Sequence, residues 1–249
     1  TLGWGMVNLG IIYKKLNEFE KADELFIGAL RIFEDLEIKN EYKKNNFRDF
    51  YLNVLAERAD LFLMKEDTIS ALDLMQAYKR KFISDENTTR ANNAYAREVF
   101  SRIYLALNDI ANAKKEISIG QELIKDLPDY YLHPKFESNL CTASKISEDL
   151  KEAYSHCLTA INYITESRKQ GSSEFSGFND YTTNSREIFS NYFDISYLAL
   201  NSSNFSSLSE EVFMKLQDLK IKDFDKRMAF IIKDKESYLD QRDELLILG

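Results

Sequence analysis

The stretch Leu9-Gly10-Ile11-Ile12-Tyr13-Lys14-Lys15-Leu16-Asn17-Glu18-Phe19-Glu20-Lys21-Ala22-Asp23-Glu24-Leu25-Phe26-Ile27-Gly28-Ala29 decides the fold. Leu9, Gly10 and Tyr13 lie on one helix, Leu16-Asn17-Glu18-Phe19 make a turn, and Ala22, Phe26 and Ala29 share one face of a second helix. The last three are spaced i, i+4 and i+7, which is the 3.6-residue period. Small residues at Gly10, Ala22 and Ala29 allow two helices to approach closely, and Tyr13 and Phe26 fill the space beside them.

The same pattern recurs when Ala22 is laid over Ala71, Ala113 and Ala153. A second copy holds Ala59, Phe62, Ala71 and Met75. A third holds Phe100, Ser101, Tyr104, Leu107-Asn108, Ala113, Ile117 and Gly120, with Pro128 after it. A fourth holds Leu140, Cys141, Ala153, Cys157 and Ala160. These residues resemble the tetratricopeptide repeat, Trp-x2-Leu-Gly-x2-Tyr followed by Ala, Phe, Ala and Pro. The resemblance implies an all-α fold, a right-handed α-solenoid of helix-turn-helix repeats. The copies are spaced 49, 42 and 40 residues apart, against about 34 in the standard repeat, so longer helices or links are expected. An irregular helical bundle is the competing architecture.

Two prolines and eight glycines in 249 residues leave few helix breaks. About eleven helices are expected, near 3–16, 19–38, 42–65, 68–84, 88–107, 110–126, 133–147, 149–169, 179–201, 207–220 and 223–247. Four repeats fill 1–170 and a Gly/Ser-rich loop spans 171–178. In 179–249, Tyr197-Leu198-Ala199-Leu200-Asn201 is identical to Tyr104-Leu105-Ala106-Leu107-Asn108. That similarity suggests a degenerate fifth repeat, followed by a capping helix continuous with the same array.

The net charge of −8 lacks the basic footprint of a nucleic-acid or anionic-membrane binder. No apolar run approaches the ~20 residues that span a bilayer, and a cytoplasmic location is expected. Leu2 to Tyr13 has no basic leader or cleavage site and reads as a repeat helix. Phosphate loops, dinucleotide fingerprints, His-Glu-x-x-His and nucleophile-elbow motifs are all missing from the sequence. His133 and His156 have no metal-ligand spacing, and His133 before Pro134 reads as a helix start. Cys141 and Cys157, at the pattern positions of Gly10 and Phe26, read as small buried packing residues rather than a disulfide. No cofactor, metal or catalytic residue is expected, and the chain reads as a non-enzyme.

In tetratricopeptide solenoids the first helix of each pair lines the concave face. Here that predicts a partner-binding groove of Asn8, Ile11 and Lys15, then Asn53, Glu57 and Asp60, then Tyr95, Glu98 and Arg102, then Lys135, Asn139 and Thr142. This mixed-charge set does not reproduce the Lys/Asn/Arg clamp that grips a peptide carboxylate. Four further segments, Ser185-Arg186-Glu187-Ile188-Phe189, Glu211–Gln217, Arg227-Met228-Ala229 and Tyr238–Leu245, are similar to the region before the caspase-like peptidase domain of bacterial CHAT proteins. That resemblance implies a protein–protein interaction scaffold with a regulatory role beside an attached peptidase, whose His and Cys would lie outside this chain. A free-standing sensor of a peptide or small molecule is the alternative.

Overall fold

The computed structural model describes residues 2–38, 47–82, 89–127, 132–169 and 188–198. All regular structure among them is helical. The helices are α1 (Leu2–Lys15), α2 (Phe19–Ile38), α3 (Phe47–Met64), α4 (Thr68–Phe82), α5 (Arg90–Ala106), α6 (Ile110–Ile124), α7 (Leu132–Ile146) and α8 (Leu150–Lys169). A ninth, α9, occupies 188–198. The expected bounds hold to within about two residues where both ends are described, and His133 and Pro134 sit in the first turn of α7. The expected 179–201 helix is described only over 188–198, and those at 207–220 and 223–247 lie outside the described residues. The chain divides into two compact units, Thr1–Ile195 and Ser196–Gly249, so the division falls inside the segment read as a fifth repeat.

One turn is built four times. Asn17, Glu66, Asn108 and Glu148 all adopt φ near +60° (61°, 61°, 59° and 60°). In each case the next residue donates its N–H to a carbonyl five residues back: Glu18 to Tyr13, Asp67 to Phe62, Asp109 to Tyr104 and Asp149 to Ser144. This ends the first helix as a Schellman motif. The same residue then begins the second helix. Its carbonyl accepts the N–H of Ala22, Ala71, Ala113 or Ala153, and the Asp67, Asp109 and Asp149 carboxylates accept from Ser70, Asn112 and Glu152 N–H. One residue thus serves as the end of one helix and the N-cap of the next. A left-handed conformation disfavours glutamate, yet two copies use it, which shows that the hairpin packing fixes the turn.

The hairpins close where the pattern places its small residues. Ala22, Ala71, Ala113 and Ala153 are all completely buried. A methyl added at Gly10 would stand 2.7 Å from the Phe26 ring, so the glycine is required by the approach of α1 to α2. The equivalent pairs are Ala59 with Met75, Ser101 with Ile117, and Cys141 with Cys157, all buried. In the fourth pair the two sulfurs are joined in a disulfide between α7 and α8, with Cα atoms 5.2 Å apart. The expectation of two unbridged packing residues is therefore corrected. The position of closest approach brings the two Cβ atoms together, and in this copy both carry sulfur.

Helices pair as α1/α2, α3/α4, α5/α6 and α7/α8. Successive pairs meet through α2/α3, α4/α5 and α6/α7. The first helices also touch one another in order, α1 to α3, α3 to α5 and α5 to α7, whereas the second helices make no comparably extensive contacts among themselves. The core is continuous from Val7 and Phe26 to Phe100 and Ile103, and further clusters join α5 and α6 to α7. Ile188, Phe189, Tyr192 and Ile195 of α9 are buried, Tyr192 lying 5.7 Å from the Tyr154 ring.

Two glycines distinguish rigid from yielding contacts. A methyl on Gly120 of α6 would meet Phe136 of α7 at 2.1 Å, and one on Gly28 would meet the terminal methyl of Met6 at 2.2 Å. Alanine favours a helix interior by about 1 kcal/mol over glycine, while overpacking costs about 1–3 kcal/mol. The Met6 methyl can rotate away and the buried Phe136 ring cannot. Gly120→Ala should lower the thermal midpoint by several degrees and Phe136→Leu should restore part of the loss, whereas Gly28→Ala should be neutral or stabilising. Equal losses at both glycines, measured by thermal denaturation, would contradict this assignment.

Candidate functional site

The first helices carry an unusual density of charge on the side where they touch one another. Lys14 of α1 is buried and donates to Glu57 Oε2 at 2.6 Å and to Asp60 Oδ2 at 2.7 Å, both on α3. The Tyr95 hydroxyl of α5 donates to the other Glu57 oxygen at 2.7 Å. Arg102, also on α5, donates to Asp60 and pairs with Glu98 Oε1 through Nε at 2.8 Å. Asn139 of α7 donates to Ser101 Oγ at 2.8 Å and to Glu98 Oε1 at 3.4 Å. The Lys135 ammonium lies 5.4 Å from the centre of the Tyr95 ring. A connected polar ladder therefore crosses four helices.

Spacing explains the ladder. Positions three or four residues apart stack on one helix face, and Glu57 with Asp60, and Glu98 with Arg102, occupy such positions. Burial by itself pushes the Asp60 carboxyl up, but the Arg102 and Lys14 charges outweigh it and hold the group well below the usual carboxylate range. Burial likewise works against the Lys14 ammonium, and the adjacent Asp60 and Glu57 charges reverse that and raise its pKa. The members are mutually dependent, because a buried charge that loses its partner costs about 3–5 kcal/mol.

Of the twelve residues expected to line a groove, Glu57, Asp60, Tyr95, Glu98, Arg102 and Asn139 are joined in this ladder, with Lys135 against it. Glu98 and Asn139 are buried, so they hold the helices together and do not face outward. Asn8 and Lys15 are exposed, and Ile11, Asn53 and Thr142 are half-buried. Ile11 packs on the core, and Thr142 donates to the Ser138 carbonyl of its own helix. Lys14 and Ser101 belong to the ladder but were not among the twelve. Lys14 stands next to the expected Lys15, at the position that α3 fills with Leu63, so the repeat pattern carried no signal for it.

A second polar crossing lies within the hairpins. Arg97 of α5 pairs with Glu116 of α6, both buried. The matching positions of the next hairpin hold Glu137 and His156, 2.8 Å apart, and Gln121 of α6 also donates to Glu137 at 3.0 Å. Glu152 stands 3.9 Å from the other His156 nitrogen. His133 stacks on Tyr163 at 5.2 Å. The Glu137 hydrogen bond raises the His156 pKa; partial burial opposes it, the Glu137 and Glu152 charges add to it, and Lys114 subtracts. Its contribution to stability is present in full below the ordinary value of 6.5 and is lost as pH rises through the raised folded value. Stability should therefore fall across neutral pH, and His156→Gln should flatten that part of the curve, as followed by denaturant midpoints across the pH range. An unchanged slope in the variant would assign the dependence elsewhere.

Among the described residues, no group of three or more His, Cys, Asp or Glu is placed to hold a metal ion. None of the described helices is long and apolar enough to cross a membrane. No family model matches the chain, and no curated protein matches it.

Proposed function

We propose that this chain is a non-catalytic protein–protein interaction scaffold, a right-handed solenoid of four to five tetratricopeptide-like repeats with a capping helix. In this reading it is the recognition and regulatory region of a bacterial CHAT-type protein. The observation that carries the scaffold reading is the fourfold recurrence of one hairpin with one turn, each hairpin touching its neighbours. The first helices meet one another more extensively than the second helices do, which supports a curved array with the first helices inside. Asn53, Tyr95, Lys135 and Thr142 then border an inner groove whose floor is the charge ladder. With the floor charges already paired, recognition falls to the groove's edges. The CHAT assignment rests on the short C-terminal motifs alone.

Capture of partners from the source organism's lysate tests this. Asn53→Trp and Thr142→Trp, with unchanged thermal midpoints, should each abolish capture of the same protein, while Ser118→Trp on the exposed side of α6 should not. Equal capture by all variants would overturn the groove. A reading frame continuing into a His/Cys peptidase domain supports the CHAT assignment, and a stop codon directly after Gly249 overturns it.

The compartment is read differently from the composition. A disulfide persists in oxidising surroundings and is rare in the cytosol, so the Cys141–Cys157 bridge favours an extracytoplasmic location. Thiol alkylation of denatured protein from rapidly quenched cells should leave both cysteines unlabelled, and labelling of both would restore the cytoplasmic assignment.

A further inference from the structure

α1 carries an apolar stripe on the face that points away from the rest of the hairpins. Leu2 is 71% exposed, Leu9 43%, Ile12 52% and Leu16 62%, and Gly5 lies between them with nothing within 4 Å of an added methyl. The spacing 2, 5, 9, 12, 16 is a single helical stripe.

The repeat register shows what such a stripe is for. In α3 the matching positions are Tyr51, Val54, Arg58, Leu61 and Lys65. Tyr51 donates to Glu34, Arg58 to Asp23 and Lys65 to Glu20, all on α2 of the preceding hairpin. Val54 and Leu61 are completely buried in the core shared with that hairpin. In α5 the matching Ala96, Phe100 and Ile103 are buried in the cluster formed with the two earlier hairpins, whereas Ala94 and Leu105 join clusters with later helices. In α7 the match to Gly5 is Phe136, packed on Gly120 of α6. In every later hairpin the central positions of this stripe are the seat of the hairpin before it.

We infer that the outer face of α1 is a docking surface for one further helical hairpin of the same repeat, supplied by the same polypeptide ahead of residue 1. The continuity of the interface from α3 through α5 and α7 identifies the occupant as a hairpin. Each later hairpin is seated on a hairpin that precedes it directly in the same chain, which identifies the occupant as tethered. Its chemistry follows from the pairs it replaces. Where α2 sets Asp23 and Glu20 against Arg58 and Lys65, the occupant sets apolar residues against Leu9 and Leu16. The stripe most resembles that of α5, with Gly5, Leu9, Ile12 and Leu16 matching Ala96, Phe100, Ile103 and Leu107, so the occupant's seating face resembles that of α3 and α4.

The test compares this chain with the same chain carrying the natural residues encoded immediately ahead of Thr1. In the present chain Ile12→Glu should leave the thermal midpoint within a degree or so, because the side chain faces solvent. In the extended chain the same substitution should lower it by several degrees, and Leu9→Glu should do likewise. Ser118→Glu, on an exposed face, should be neutral in both. An Ile12→Glu effect equally small in both chains would overturn the inference, as would a reading frame that begins at Thr1. A doubling of mass in solution that Ile12→Glu abolishes would overturn it in favour of a second copy. A loss of partner capture with the α1 variants unaffected would concern the groove, and leave this face as inferred.

Discussion

Each hairpin depends on one close approach, and the pair of side chains at that point sets how near its two helices can lie. Four solutions occur at the same two positions. Gly10 leaves room for a whole phenyl ring at Phe26, Ala59 takes a flexible methionine, Ser101 takes an isoleucine, and the Cys141–Cys157 pair is spanned covalently. A smaller residue on the first helix is met by a larger one on the second, as dense packing requires. The turn inherits its geometry from this closure. That is why a glutamate can be held at φ near +60° in the second and fourth hairpins.

Between hairpins the constraint is electrostatic as well as apolar. The second helix of one pair packs on the first helix of the next, while the ladder from Lys14 through Asp60 and Arg102 to Glu98 and Asn139 ties the first helices together. Apolar contacts tolerate sliding by a turn, but a chain of alternating charges has one register in which every member is paired. The ladder therefore does for the array what a buried polar residue does for a coiled coil, selecting one alignment at some cost in stability. The Arg97–Glu116 and Glu137–His156 crossings repeat that logic within the third and fourth hairpins.

Much of the fold was legible because alanine at 22, 71, 113 and 153 fixes the register, and a residue completely excluded from solvent at a helix crossing leaves a strong periodic trace. Asn17 and Asn108 announced their turns, since asparagine tolerates the left-handed conformation. Glu66 and Glu148 carried no such mark, because there the packing overrides the residue's own preference. The site was half legible. Helical spacing placed Glu57, Asp60, Glu98 and Arg102 on one side, but charged residues ordinarily mark a solvated face. Only the helix contacts show them paired with one another. The disulfide was hidden for a similar reason: a buried cysteine and a bridged one occupy the same small, apolar-looking position, and sixteen residues of separation reveal nothing until the turn is known.

The bridge also gives the row of hairpins a direction. Units that touch only their neighbours come apart most readily where an interface face is uncovered, as the outer face of α1 is among the described residues. Unzipping that starts there can proceed hairpin by hairpin until it meets α7 and α8, whose sulfur link closes a loop and removes chain entropy from the opened state. Pulled or heated from that end, this row should therefore fray from its first hairpin and arrest at its fourth, as a zipper does at a pin through its teeth.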